Sequence, residues 1–253
     1  MSAPADRAER PEARGTLGTV RNAVLLLDLL SEGPAYQHLG DLSADSGLSV
    51  ATVHRLLRSL VLADLVEQDP RSSRYGLGPG VTRLSQRYLD RLPALGALAP
   101  YLPQLRDATG HTVQVGLLVR GSTVYVDRVD GPEAGPYRDV HRVRPALETA
   151  AGRLLAARAE DAEWRLALRA ADPPLCALAE KERAGWARAA HLYLPGDGDT
   201  APEVAAVVTD GQERGVGAVT VGFESAPEPQ EREAVARQLV RAASAAGRTL
   251  SHD

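Results

Sequence analysis

Cysteine is almost missing from this chain of 253 residues: Cys176 stands alone. A single thiol excludes an internal disulfide and any cysteine-built zinc site. Lysine is just as scarce. Lys181 is the only one, so arginine carries nearly all the positive charge. Aromatic residues make up 4% of the chain, which leaves Leu, Val and Ala to pack the cores. No apolar run approaches the roughly 20 residues that span a bilayer. The opening MSAPADRAERPEARG has two prolines, mixed charge and no apolar segment of the kind a secretory signal needs. These gaps predict a cytoplasmic protein with a disordered tail over residues 1–15. His38, His54, His111, His141, His191 and His252 are scattered without metal-like spacing, and no G-x-S-x-G elbow occurs. GVGAVTVG lies inside a strand pattern rather than between a strand and a helix, so it is no dinucleotide fingerprint. Neither catalysis nor a metal or cofactor is expected.

What is present reads as an ordinary soluble composition, 44% hydrophobic and 25% charged, with a net charge of −4. From Thr19, the run TVRNAVLLLDLLSEG is helical, with Val20, Ala23, Val24 and Leu27 at i, i+3, i+4, i+7 and Gly33-Pro34 as the stop. Leu25, Leu26 and Leu29 lie on other faces. They are buried within one domain or meet a second subunit. A short helix follows around Leu39 and Leu42. Gly47 suits its left-handed stop and Ser49 caps the next helix. In that helix Val53, Leu56, Leu57 and Leu60 form the apolar stripe. Ala51, Thr52, Arg55, Arg58 and Ser59 form the opposite face, with His54 at its margin. Two helices joined by a tight glycine turn make a helix-turn-helix. LVEQDPRSSRYGLG then reads as two short strands around a turn, a wing whose tip carries Arg71 and Arg74.

The segment from Ser49 to Tyr88 holds six arginines and three acids, so it is locally basic in an acidic chain. A recognition helix presents its N-terminal residues to base edges in the major groove. Here these are Ser49, Val50, Ala51 and Thr52, with His54 and Arg55 behind them. Arginine pairs bidentately with guanine, and Ala or the Thr methyl touches the thymine methyl. Arg58, Arg71 and Arg74 suit phosphates, which set position rather than sequence. The competing reading is a solvated amphipathic helix on an oligomeric small-molecule-binding module without direct DNA regulation.

After residue 80 the pattern predicts a linker helix over 81–95, broken by Pro93, and a domain over 96–253. Strands over 112–119 and 123–129 flank a Gly121-Ser122 turn. A helix is expected over 148–170 and a second hairpin around Asp210-Gly211. The closing helix places Val235, Leu239 and Ala242 on one face. Hairpins separated by helices predict an α+β fold with a mainly antiparallel sheet. Polar residues set among its apolar strands are candidates for lining a ligand pocket: Gln114, Asp127, Arg128, Arg142, Glu148, Thr149 and Thr220. Arg128 and Arg142 suit a carboxylate ligand, or pair with Asp127 or Asp130.

LGDLSADSGLSVATVHRLLRSLVLADLVEQDPRSSRYGLGPGVTRL resembles the N-terminal winged helix of the IclR-type bacterial transcription regulators. TGHTVQVGLLVRGSTVYVDRVDG, RPALETAAGRLLAA and VAAVVTDGQERGVGAVTVGF resemble successive parts of that family's effector-binding domain. The resemblance covers most of residues 16–250, in order. It implies a winged helix-turn-helix over 16–80 and a GAF-like α/β effector-binding and oligomerisation domain. It also implies a homodimer or homotetramer on a double-stranded DNA operator, a repressor's action, and a small organic effector, here expected to be anionic. The family's pocket floor falls on Ala150 and Ala151, and its polar ligand contacts on the last strand fall on Thr220 and Gly222. Family members commonly carry Lys where Val50 stands, and often His and a Gly-Lys pair in the loop around Leu147 and Glu148. The stretch 170–202 follows the family pattern least.

Overall fold

The computed structural model describes residues 11–132, 143–196 and 200–251, with side chains in the first helix from residue 18 onward. The chain divides between Tyr88 and Leu89 into two compact units.

The first unit contains α1 (Pro11–Glu32), α2 (Leu39–Ser46), α3 (Val50–Leu62), the strands β1 (Val66–Gln68) and β2 (Tyr75–Leu77), and α4, which runs Pro79–Leu89. Helix α1 begins at Pro11, ahead of the expected Thr19 cap. Proline is accepted in a first turn, and the Glu-Ala-Arg that follows favours helix. Of the tail expected over 1–15, residues 1–10 lie outside the described residues and 11–15 are helical. The inward face of α1 also differs from the expected one. Leu26 and Leu30 are buried, whereas Val20 and Val24 are 65% and 42% exposed. AVLLLDLL is apolar on several faces at once, so packing rather than pattern selects the stripe.

Leu26 and Leu30 close a core with Leu42, Val53, Leu56, Leu57, Leu60, Val66 and Tyr75. Between α2 and α3, Gly47 takes the left-handed conformation at φ 67°, as the turn requires. The hairpin pairs Val66 with Leu77, Glu67 with Gly76 and Gln68 with Tyr75. Its outer strand is also tied inward. Gln37 and Tyr75 exchange reciprocal backbone hydrogen bonds, both 2.8 Å, between the α1–α2 loop and β2. The expected linker helix appears as α4. It stops at Leu89, and Pro93 starts a new helix.

The second unit begins with α5 (Pro93–Leu98), a 3-10 turn and α6 (Leu102–Thr109), which ends on left-handed Gly110. Among the described residues, six strands form one sheet: β3 (Val113–Val119), β4 (Ser122–Val129), β5 (Val143–Pro145), β6 (His191–Leu194), β7 (Glu203–Thr209) and β8 (Gly215–Gly222). Their order is β5-β4-β3-β8-β7-β6, and every pairing is antiparallel. Helices α7 (Ala150–Arg158), α8 (Asp161–Arg169), α9 (Pro173–Arg188) and α10 (Pro229–Leu250) complete the unit.

One sheet face, with Val113, Val115, Val204, Ala206, Val208, Val219 and Val221, packs on α5, α6 and α10. The other face, with Ala205, Val207 and Ala218, packs on Ala150, Ala151, Leu154 and Leu155 of α7. The α+β fold and the antiparallel sheet match the expectation from the sequence. The helix expected over 148–170 is two helices. The Arg158 guanidinium turns back to donate to the carbonyls of Leu154, Trp186 and Ala189 at 3.1, 2.9 and 2.7 Å, while the chain extends through Ala159 and Glu160 into α8. Helix α9 and edge strand β6 occupy the stretch that the sequence left unassigned.

Candidate nucleic-acid interface and ligand-facing sheet

Helix α3 is fixed by its cap and its stripe. Ser49 Oγ accepts the Thr52 N–H at 3.3 Å and lies 2.9 Å from the Thr52 hydroxyl. Ser43 Oγ donates to the Leu48 carbonyl at 2.6 Å and holds the turn before it. With Val53, Leu56, Leu57 and Leu60 buried, Ser49, Val50, Ala51, His54, Arg55 and Arg58 are exposed and Thr52 is half-buried. The Thr52 hydroxyl is shared with Ser49, so its methyl is the group left for contact. Among the described residues, neither Arg55 nor Arg58 pairs with an acid, and both guanidinium groups face solvent.

The structure brings His54 and Arg58 together with Gln68 of the hairpin in one cleft of about 330 Å³. Gln68 was not anticipated, because nothing local in the sequence connects it to α3. At the hairpin tip, Asp69 accepts the N–H groups of Arg71 and Ser72 at 3.2 and 3.0 Å, and the Ser72 hydroxyl as well. These donors hold the Asp69 carboxyl below its ordinary range. The carboxylate thus organises the tip that displays Arg71. Arg74 is not free at the tip; its Nε donates to His38 Nε2 at 3.0 Å.

In the second unit, Gln114, Arg128 and Thr220 form one cross-strand row. Gln114 lies opposite Arg128 on β4 and opposite Thr220 on β8. Residues directly opposite share a face, here the face that carries α7. Arg128 pairs with Asp130, while Asp127 accepts the Arg128 backbone N–H at 2.7 Å. Arg142 lies outside the described residues. Glu148 is ion-paired with Arg144 at 3.4 Å.

Thr149, Ala150 and Ala151 are fully buried at the start of α7. Thr149 is the N-cap. Its hydroxyl accepts the Gly152 N–H at 2.9 Å, donates to the Ala146 carbonyl at 3.1 Å and lies 2.7 Å from the Thr123 hydroxyl. No room remains there for a larger residue at 152, where a Cβ would stand 2.1 Å from the Ala146 carbonyl oxygen. Thr220 is 1% exposed, and its hydroxyl has no hydrogen-bond partner among the described residues. A Cβ added at Gly222 would meet nothing within 4 Å.

Sequence reasoning missed Glu203, the first residue of β7. One of its carboxylate oxygens accepts the Ala150 backbone N–H at the start of α7, and the other accepts the Tyr125 hydroxyl at 3.1 Å. Burial pushes the Glu203 carboxyl up. The Ala150 N–H, Tyr125, Arg144 and Arg153 pull it back down. Burial and the Glu203 charge push the Tyr125 phenol well above its ordinary value, so it remains a donor. Arg153 is half-buried, donates to the Leu147 carbonyl at 2.7 Å and lies over the Trp186 ring.

A winged helix-turn-helix unit followed by a six-stranded antiparallel sheet domain defines a two-part architecture. The description "IclR helix-turn-helix domain" matches residues 19–70, and "Bacterial transcriptional regulator IclR C-terminal" matches residues 86–173. The chain belongs to the IclR family. It is 30% identical over 146 residues to the HTH-type transcriptional regulator XynR of Escherichia coli (strain K12), an alignment covering 57% of this chain and 58% of XynR. The chain spans about half the length of the curated relatives it matches. The crystal structure of an IclR family transcriptional regulator from Brucella abortus shares the fold, with a TM-score of 0.79 at 20% identity over 97% of this chain and 96% of that one. An IclR homologue from Microbacterium hydrocarbonoxydans, complexed with 4-hydroxybenzoate, aligns with a TM-score of 0.67 at 18% identity, covering 92% of this chain and 98% of that one. No helix among the described residues is long and apolar enough to cross a membrane.

Proposed function

We propose that this protein is a sequence-specific DNA-binding transcriptional regulator, acting as a repressor, whose operator affinity a small molecule alters through the second unit. The observation that carries this reading is the exposed face of α3. Arg55 and Arg58 stand unpaired behind a Ser49-capped N-terminus, next to a hairpin tip ordered by Asp69. Arg55, Ala51 and the Thr52 methyl take base edges. Arg58 and Arg71 take phosphates, and His54 and Gln68 line the cleft between helix and hairpin.

The protein works as a cytoplasmic homodimer or homotetramer on a pseudo-palindromic operator. Val20 and Val24 on α1 and Leu84 and Tyr88 on α4, 51% and 56% exposed, support the oligomer. The effector acts by linkage. A molecule that binds one arrangement of the oligomer better shifts the population by no more than its differential affinity. The reading is that of a binding protein, not an enzyme.

The test is titration of labelled DNA from the upstream region of its own gene. Arg55→Ala should weaken specific binding by about 1–3 kcal/mol, whereas Arg58→Ala should weaken all sequences alike and reduce the salt dependence. Unchanged titrations for both variants would refute the assignment and leave the sensor module without DNA function.

A further inference from the structure

We propose that Glu203 is a built-in anion of the ligand-facing sheet. It fills the seat that the first turn of α7 offers to a carboxylate, so the domain excludes carboxylate effectors and takes an uncharged molecule bearing hydroxyl groups. This rests on the effector-binding reading above and replaces the anionic effector expected from the sequence.

The start of a helix leaves backbone N–H groups without partners, and these favour a carboxylate. In α7 the Gly152 N–H goes to the Thr149 hydroxyl and the Arg153 N–H to the Thr149 carbonyl at 3.0 Å. The Ala150 N–H goes to Glu203, from a strand 53 residues further along the chain. Both Glu203 oxygens act as acceptors, one from an N–H and one from the Tyr125 phenol. An ionised carboxylate satisfies both contacts as an acceptor, and Arg144 and Arg153 favour that form.

The charges close around it. Arg144 and Arg153 face Glu203, and Arg144 is already paired with Glu148. Arg128 is taken by Asp130. Among the described residues, the two cations that face Glu203 are matched by Glu203 and Glu148, and a second carboxylate would meet Glu203 as a like charge.

What the face retains is hydrogen-bonding capacity. Gly222 lies directly opposite Glu203, and Thr220 lies opposite Ala205, two residues along β7. The open space at Gly222, the unpartnered buried hydroxyl of Thr220 and the spare lone pairs of Glu203 therefore share one face. Gln114 adjoins Thr220 across β3. An alcohol can donate to Glu203 and complete the hydrogen bonding of Thr220, and it carries no charge into the site.

The experiment uses the full chain and its thermal unfolding, and has two arms. In the first, wild type and Glu203→Ala are titrated with sodium acetate against sodium chloride and acetamide at equal concentration. The variant should lose stability and regain it with acetate alone, with a saturable rise of about 5 °C, while the wild type responds to acetate as to chloride. Acetate that does nothing specific for Glu203→Ala, or that stabilises the wild type equally, overturns the proposal.

The second arm needs only the wild type and survives a variant that fails to fold. Alcohol and acid of matched skeleton, such as erythritol with erythronate and benzyl alcohol with benzoate, are compared for thermal shift and for release of operator DNA. Alcohols that act where their acids do not support the proposal. Acids that act overturn it, and inertness of every pair counts against the uncharged ligand. If acetate rescues Glu203→Ala but nothing tested in the second arm alters the wild type, the built-in anion stands and the effector-binding reading loses its support.

Discussion

Substituting Thr149 by Val removes one hydroxyl and almost no volume from a fully buried position. That hydroxyl caps α7 by accepting the Gly152 N–H at 2.9 Å, donates to the Ala146 carbonyl at 3.1 Å and meets the Thr123 hydroxyl at 2.7 Å. The Ala146 carbonyl keeps the Thr149 backbone N–H at 3.2 Å, so it is not orphaned. The Gly152 N–H and the Thr123 hydroxyl are. Loss of the cap costs about 1 kcal/mol, and each buried group left unpaired adds about 1–3 kcal/mol. Allowing Thr123 to find another partner, Thr149→Val should destabilise the second unit by about 2–4 kcal/mol, or about 5–12 °C in Tm for a domain of this size. The assay is urea and thermal unfolding followed by circular dichroism at pH 7. Thr123→Val is the companion, because the two hydroxyls satisfy each other. The double variant should lose about 1 kcal/mol less than the two single losses together. A loss below about 1 kcal/mol for Thr149→Val, or strict additivity, would refute the cap-centred account of how α7 is seated.

Burial raises the Glu203 carboxyl above its ordinary value, so in the pH range just above that ordinary value the folded protein holds a proton that the unfolded chain has released. The stability contributed by this group is therefore full at low pH and declines as pH rises through the raised value. Relative to Glu203→Gln, the wild type should lose ground as pH rises above the ordinary carboxylate range in paired melting curves; a gap that widens in its favour would contradict the sign. Arg158→Leu strips donors from three carbonyls near the end of α7 and α9 and should destabilise by about 2–4 kcal/mol in urea titration. A shift within error would show that water replaces the guanidinium. Ser49→Ala should cost the first unit about 1 kcal/mol and free the Thr52 hydroxyl, which operator titration would register alongside the unfolding midpoint. No change in either would remove Ser49 from the interface.

The first unit was readable because its signals are local. Gly47 and Ser49 stand next to the helix they position, and DPRSS lies within the hairpin it turns. The strands β3 and β4 were readable for the same reason, joined by the turn at Gly121. Glu203 was not. Its partner N–H belongs to Ala150, and nothing in GDGDTAPEVAAVV distinguishes an acid that reaches a distant helix from one at the edge of a strand. The sequence leaves Arg128 between a ligand and Asp127 or Asp130, and the fold pairs it with Asp130. Helix α1 was misread for a different cause: a segment with leucine on several sides offers several equivalent stripes, and only the surrounding Leu42, Val53 and Leu57 choose among them. Thr149 was noted as a polar candidate for ligand contact; its hydroxyl caps α7 and meets the Thr123 hydroxyl.

The two hydrogen bonds between Gln37 and Tyr75 bear on the proposed reading of DNA by the first unit. A hairpin of three residues per strand, left to its own contacts, would swing as a loose arm. Pinned to the α1–α2 loop, it keeps a set separation from α3, so on the proposed DNA-binding reading Arg71 and Arg55 would act as the two points of a fixed caliper. An operator would then be judged on whether its phosphate and base contacts fall at that one separation, and inserting a single base pair between them should be tolerated far less than changing a base under either point.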